Sequence, residues 1–216
     1  MELSESNIKP KSKIVGTIAT LFIALTILSV SVLKSATENH AYNPTVLSER
    51  TTSEKLQESK TPTIDYLLAY QGKINPDSTL WYLKVLRDKV WYTFTFDSVK
   101  KSELNLLFAD KRLNSSLEMF KNNKPDLGFA TLTKAEKYLE MAVPKSTEDK
   151  EYLKKLALSS LKHREVIELQ ILPLSPEDVR PNVIRVGDYS KETYKKARDL
   201  ILSVGAVPPS NPFESK

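Results

Sequence analysis

The sequence of residues 99–122 is VKKSELNLLFADKRLNSSLEMFKN, in which apolar residues recur every three or four positions. This spacing predicts a helix with one apolar stripe along its length. The stripe consists of Leu104, Leu107, Phe108, Leu113, Leu117 and Phe120. Asp97 stands just before the helix, where an aspartate is a favourable N-cap. We therefore predict an amphipathic helix over 99–122 that packs on a core.

Similar patterns lie on both sides of this segment. On the N-terminal side we predict a short helix within 62–72 and a second helix that begins after 77–78. On the C-terminal side, Pro125 opens a helix that ends before Pro144. A further helix is predicted from 146–147 to about 172, and the last one ends at Gly205, with Pro181 interrupting its beginning.

These predictions define the fold class. The chain of 216 residues has only five glycines, and few glycines mean few tight turns, which favours helices over β-hairpins. The predicted fold is all-α, a bundle of about five or six antiparallel helices joined by short connections. The predicted second helix is rich in aromatic residues: Trp81, Tyr82, Trp91, Tyr92, Phe94 and Phe96. Aromatics at helical spacing most often belong to a core, and a ligand-binding platform is the alternative.

A long apolar run precedes the helical region. Residues 14–33, IVGTIATLFIALTILSVSVL, carry no charge, and as a helix they would cover about 30 Å, the thickness of a bilayer core. A buried core helix would carry a polar edge. A cleaved signal peptide is the main alternative, but its apolar region is usually shorter and Lys34 spoils the nearest cleavage site. We predict a retained transmembrane signal-anchor.

The charges beside the apolar run 14–33 predict its orientation in the membrane. Lys9, Lys11 and Lys13 precede the run, so residues 1–13 are predicted to form a cytoplasmic tail and the remainder to lie outside the cell membrane in a single-pass topology. Residues 34–61 are polar and have no apolar repeat, which predicts a disordered linker. Residues 62–205 are the predicted extracytoplasmic helical domain, and the proline-rich 206–216 a disordered tail.

The segment 77–113, DSTLWYLKVLRDKVWYTFTFDSVKKSELNLLFADKRL, resembles a bacterial domain-of-unknown-function family, family 5667, often seen behind a single membrane segment. The resemblance covers 76 to about 120 well and 161–170 more loosely. Its pattern falls on Leu80, Trp81, Leu83, Lys84, Asp88, Thr95, Phe96, Asp97, Lys101, Glu103, Leu104, Ala109, Arg112 and Leu113. Trp81 and Tyr82 replace the usual Tyr-Pro, and Asp88 replaces a glutamate. The resemblance implies a helical domain behind a membrane segment and no particular activity.

The motif also has a physical interpretation. We expect Phe96 to be a buried aromatic beside the Asp97 cap, and Glu103 to be a surface charge. Arg112 lies on an otherwise apolar part of its helix, so it would be partly buried and would need an acid. Asp88 is the predicted partner, in an ion pair that fixes the register of two helices. A ligand-binding use of the pair is the alternative.

Composition limits the possible chemistry. The chain has no cysteine, which excludes disulfides and thiolate sites. His163 is the only histidine in the predicted domain, so we expect no metal site, and Glu148, Asp149 and Glu151 serve as helix-capping charge. No glycine-rich loop or nucleophile elbow is present. We therefore expect neither a cofactor nor an enzyme, and a net charge of +5 is too mild to indicate nucleic-acid binding.

The functional prediction follows from topology. We expect a structural or interaction module of the cell envelope whose helical domain contacts another protein or a wall polymer. The alternative is an extracytoplasmic sensor or regulator of an anti-sigma-type system, to which some relatives are similar. The thirteen residues before the apolar run are too few for a partner-binding domain, which favours the first hypothesis. An enzyme would require a polar cleft holding a carboxylate of raised pKa.

Overall fold

The computed structural model describes residues 63–146 and 148–214, in which all regular secondary structure is helical. Five helices of at least three turns follow one another: α1 Trp81–Phe94, α2 Ser98–Lys121, α3 Pro125–Met141, α4 Lys150–Val166 and α5 Arg180–Ser203. The helix α4 continues into a π-helical turn, Ile167–Ile171, and a short last turn, Leu172–Leu174. The predicted all-α fold class is confirmed.

Local capping chemistry explains where the helices begin. The Asp97 carboxylate accepts hydrogen bonds from the backbone N–H groups of Val99 and Lys100, at 2.8 and 3.3 Å, which is the N-cap expected at this position. Asp149 caps α4 in the same way at 3.1 and 3.0 Å, so this helix starts later than predicted. Pro125 lies in the first turn of α3.

The C-terminal helix is simpler than predicted. Pro181 lies in the first turn of α5 instead of interrupting a longer helical stretch, because the first turn is where a missing backbone N–H costs nothing. The four long helices pack α2 on α3, α3 on α5 and α5 on α4, and α2 also contacts α4. The backbone of helix α1 comes close to the backbone of this four-helix group at few positions.

The interior of the bundle contains two apolar clusters. The first is built around Leu106, Leu139, Leu153, Leu156, Leu161, Tyr194 and Ile201. The second is built around Leu113, Phe120, Leu132, Val166, Ile167, Ile171 and Val183. Buried polar residues stand between the members of the two clusters, among them Asp110 on α2, Glu136 on α3 and His163 on α4. These three residues form a polar layer across the bundle.

The predicted short helix within 62–72 is wrong for the described residues. Residues 63–72, which we call the strap, are not helical. Their backbone groups form hydrogen bonds with side chains of the bundle instead. The N–H of Ile64 donates to Glu165 Oε2 at 2.7 Å, and Lys162 Nζ donates to the carbonyl of Ile64 at 3.3 Å. Asn114 likewise donates to the carbonyl of Ala69 at 3.0 Å. The strap therefore lies against α2 and α4.

The C-terminal segment also differs from the prediction. Residues 206–214, expected to belong to a disordered tail, lie against the bundle: the Tyr194 hydroxyl donates to the carbonyl of Pro209 at 2.8 Å. The guanidinium of Arg164 lies 4.3 Å from the centre of the Phe213 ring. These contacts hold the segment because an aromatic ring attracts a cation placed over its face.

The membrane prediction concerns another part of the chain. The predicted cytoplasmic tail 1–13, signal-anchor 14–33 and linker 34–61 lie outside the described residues. Within 63–146 and 148–214, none of the helices combines the length and the apolar character needed to span a bilayer.

Candidate interaction surface on α1

Helix α1 turns one apolar side away from the bundle. Among its side chains, all within the described residues, Asp88 alone is buried, at 5 % exposure. Four apolar side chains opposite Asp88 are 47 to 71 % exposed: Leu83, Leu86, Val90 and Phe94. We call these four residues the outward stripe. The expectation that the aromatic residues of this helix belong to the core is therefore wrong for Phe94.

Apolar and aromatic residues beside the stripe are also exposed. Leu80, just before α1, is exposed, and so are Tyr82 and Phe96. Phe96 is 86 % exposed, which corrects the expectation of a buried aromatic next to the Asp97 cap. Of the aromatic group, Trp91 packs inward in part, with its ring 6.2 Å from that of Phe108 in an edge-to-face arrangement. Most of these aromatics are thus available at the surface.

A buried ion pair holds α1 in this orientation. Arg112 Nη1 lies 4.0 Å from Asp88 Oδ2, and both side chains are buried, which agrees with the partner proposed from the sequence. Arg87 Nη2 donates to the other oxygen of Asp88 at 2.7 Å. The Arg112 guanidinium also lies 4.6 Å from the Tyr138 ring of α3. The one fully buried side chain of α1 is therefore a charged one, and the stripe opposite it faces outward.

Lys84 fixes the beginning of the helix. Its Nζ donates to the carbonyls of Gln71 and Ile74 at 2.6 and 3.2 Å and lies 4.6 Å from the Trp81 ring. Burial lowers the pKa of Lys84 to about 8, against the opposing charge of Asp88. The ammonium thus joins α1 to the end of the strap, at Gln71, and to Ile74 just after it.

The remaining motif residues have separate roles. Leu113 is fully buried in the second apolar cluster, and Asp97 is the N-cap of α2. Glu103 is exposed on a groove of about 690 Å³ that is also lined by Trp91 and Tyr152. The motif therefore does not converge on one pocket. It supplies the ion pair and caps that position α1, together with part of the exposed surface.

The polar layer was missed by sequence reasoning. His163 is fully buried, with Nδ1 2.7 Å from Glu136 Oε1 and Nε2 3.2 Å from Asp110 Oδ1. Asp110 also accepts hydrogen bonds from the hydroxyls of Ser159 and Tyr66, at 2.8 and 2.7 Å. No sequence pattern could reveal this layer, because its members are 27 and 53 positions apart.

Electrostatics keep His163 protonated. Burial by itself lowers the pKa of the ring, but the charge of Glu136 and the hydrogen bonds with Asp110 and Glu136 outweigh it and raise the pKa from 6.5 to about 9. All three residues of the layer are buried and have no contact with solvent in this structure beyond a few per cent of their surface. In the described part of the chain, no set of three or more His, Asp or Glu residues is arranged to hold a metal ion.

The comparison with known families falls on these same helices. Residues 73–173 match the family model of DUF5667, a domain of unknown function. The resemblance noted from the sequence is confirmed. The matched segment contains the outward stripe, the Asp88–Arg112 pair and the polar layer, whereas the strap and α5 lie outside it. No curated protein and no solved structure matches the chain.

Proposed function

We propose that this chain is a non-catalytic interaction or structural module of the cell envelope, anchored in the membrane through residues 14–33, with its helical domain outside. The outward stripe of α1 is its contact surface. One observation supports this role: a helix whose only buried residue is Asp88 presents Leu83, Leu86, Val90 and Phe94 to solvent. Exposed apolar patches of this kind mark interaction sites.

The way in which α1 is held strengthens the proposal. A helix held by nonspecific apolar contacts would bury its apolar side, since each exposed Å² of apolar surface costs about 25 cal/mol. Here the Asp88–Arg112 pair and the hydrogen bonds of Lys84 hold the helix with the outward stripe exposed to solvent. The stripe is presented by specific polar contacts.

The sensor or regulator alternative has its own supporting observation. The strap, which follows the predicted linker, is bonded to Glu165 and Asp110 inside the bundle. A displacement at the end of the linker would therefore reach the polar layer. We favour the interaction module because the outward stripe requires a contact in either case, whereas the strap is equally explained as part of a stable fold.

Cysteine labelling tests topology and contact together. The chain has no cysteine, so Leu86→Cys on the stripe and Ile184→Cys, an exposed apolar position on α5, each create one labelling site. In intact spheroplasts treated with a membrane-impermeant maleimide, we expect Ile184→Cys to react and Leu86→Cys to be protected. After denaturation, both should react equally.

The two cysteine variants test different parts of the proposal. If Ile184→Cys reacts only after the membrane is permeabilised, the outward topology is wrong. If Leu86→Cys reacts as fast as Ile184→Cys, the stripe is uncovered in the cell and the interaction role is wrong.

A further inference from the structure

The outward stripe has a positively charged rim on each side. Successive residues on a helix are about 100° apart, so Arg87 and Lys89 lie about 100° to either side of the buried Asp88. Leu86 and Val90 lie about 160° from Asp88 in the two directions. Arg87 and Lys89 are both exposed. The exposed face of α1 is therefore an apolar sector bordered by Lys89 on one edge and, on the other, by Arg87, which is half-exposed and also pairs with Asp88.

No negative charge interrupts this face. The sequence of α1, WYLKVLRDKVWYTF, has one acid, Asp88, and that acid is turned inward to Arg112 and Arg87. Tyr82 and Phe94 lie near the two edges of the apolar sector and are exposed. Apolar and aromatic side chains between rims of Lys or Arg are the pattern of helices that lie in the headgroup region of a bilayer.

We propose that the outward stripe lies on the surface of a membrane rich in anionic lipids, with Arg87 and Lys89 at the level of the lipid phosphates. This proposal rests on the proposed function, because the anchor 14–33 brings the domain to that surface. The linker predicted over residues 34–61 would span about 30 Å as a flexible coil, a length that would leave α1 within reach of the headgroups. The helix, about 21 Å long, would lie parallel to the membrane plane.

Charge argues against a second copy of the chain as the occupant. Two stripes facing each other would bring the Arg87 and Lys89 rims of one copy close to the same rims of the other. Like charges at such distances repel. An anionic lipid surface instead offers the opposite charge to both rims at once, and each basic residue near it adds to the attraction.

A fluorescence experiment with the full chain tests this contact without any other protein. Leu86→Cys, labelled with the environment-sensitive dye NBD, is reconstituted in nanodiscs of phosphatidylcholine with or without phosphatidylglycerol. We expect a blue-shifted emission that is quenched by a nitroxide on the lipid chains, in the anionic nanodiscs. Ile184→Cys, labelled in the same way, should show neither effect.

Charge reversal provides the matched variants. Lys89→Glu should lower the ratio of docked to free domain about ten- to thirtyfold, and Lys195→Glu, at an exposed lysine of α5, should leave it unchanged. If the NBD group at position 86 stays in water in anionic nanodiscs, the lipid proposal is wrong.

The two experiments separate the two proposals. A stripe that is protected in spheroplasts but solvated in anionic nanodiscs would show that another protein covers it, and the lipid proposal alone would fail. A stripe that is unprotected in spheroplasts would overturn the interaction role itself.

Discussion

The Asp88 carboxylate and the Arg112 guanidinium lie 4.0 Å apart with both side chains buried, and this pair connects α1 to α2. Loss of one partner leaves the other charge buried without compensation, which is more costly than the pair is worth. Because the rest of α1 contributes no buried side chain, we expect such a loss to release α1 before it unfolds the four-helix bundle.

The first prediction concerns this pair. Asp88→Asn should lower the free energy of opening α1 by about 3 kcal/mol. Both tryptophans of the chain, Trp81 and Trp91, lie on α1, so tryptophan emission reports on this helix and far-ultraviolet circular dichroism on the whole bundle. In urea, the fluorescence transition should move to lower concentration while the dichroism transition changes less.

The control for this experiment is Arg87→Gln, since Arg87 is the half-exposed partner of Asp88. We expect it to cost under about 1 kcal/mol. Coincident shifts of both transitions in Asp88→Asn would contradict the independent opening of α1.

The second prediction follows from the protonation of His163. Its pKa in the folded state, about 9, lies above the unfolded value of 6.5, so the stabilisation is complete below pH 6.5 and is lost as the pH rises through 9. The difference corresponds to about 3 kcal/mol. Lys84 acts in the opposite direction, because its pKa is lowered to about 8 and its destabilising effect fades at higher pH. The measurement therefore uses a Lys84→Met background.

Urea unfolding of the Lys84→Met protein from about pH 6 to about pH 9 should show a falling free energy of unfolding. Glu136→Gln in the same background removes the charge that raises the pKa of His163. The decline should then be smaller and should occur at lower pH. An unchanged decline would show that His163 does not cause it.

The third prediction tests the attachment of the strap. Tyr66→Phe removes the hydrogen bond from the hydroxyl to Asp110, and hydrogen bonds to charged groups contribute about 1.5 to 3 kcal/mol. The amide of Ala69, which donates to the same carboxylate at 3.4 Å, should exchange with deuterium correspondingly faster. Tyr70→Phe, at an exposed position of the strap, is the matched control and should leave that exchange rate unchanged.

The fourth prediction concerns close packing between α2 and α3. A Cβ atom added at Gly128 would lie 2.7 Å from Cδ2 of the Phe120 ring, closer than two carbons can approach. Gly128→Ala should therefore destabilise the bundle by about 1 to 3 kcal/mol, although alanine is the better helix former. A gain in the midpoint of thermal unfolding would show that the Phe120 ring moves aside freely.

The local features of the fold could be predicted from the sequence because their causes are local. Apolar spacing over 99–122 corresponds to α2, and Asp97 and Pro125 stand at the helix beginnings where their chemistry favours them. The strap was predicted as a helix because its spacing of Leu67, Leu68 and Tyr70 is helical, while the partners of its backbone lie far away in sequence. The hydrogen bond from the Ile64 N–H to Glu165 outweighs the local helix propensity of the strap.

By itself, the sequence determined the all-α class, the approximate helix ends and the pairing of Arg112 with Asp88, since periodicity, capping and an unpaired charge are properties of short segments. Only the tertiary structure decided which side of α1 is buried and that His163 lies between Glu136 and Asp110. The physical reason is that burial depends on what packs against a face. In α1, leaving the buried charge of Arg112 without Asp88 would cost more free energy than leaving Leu86 exposed. The acid therefore turns inward and the apolar stripe faces out.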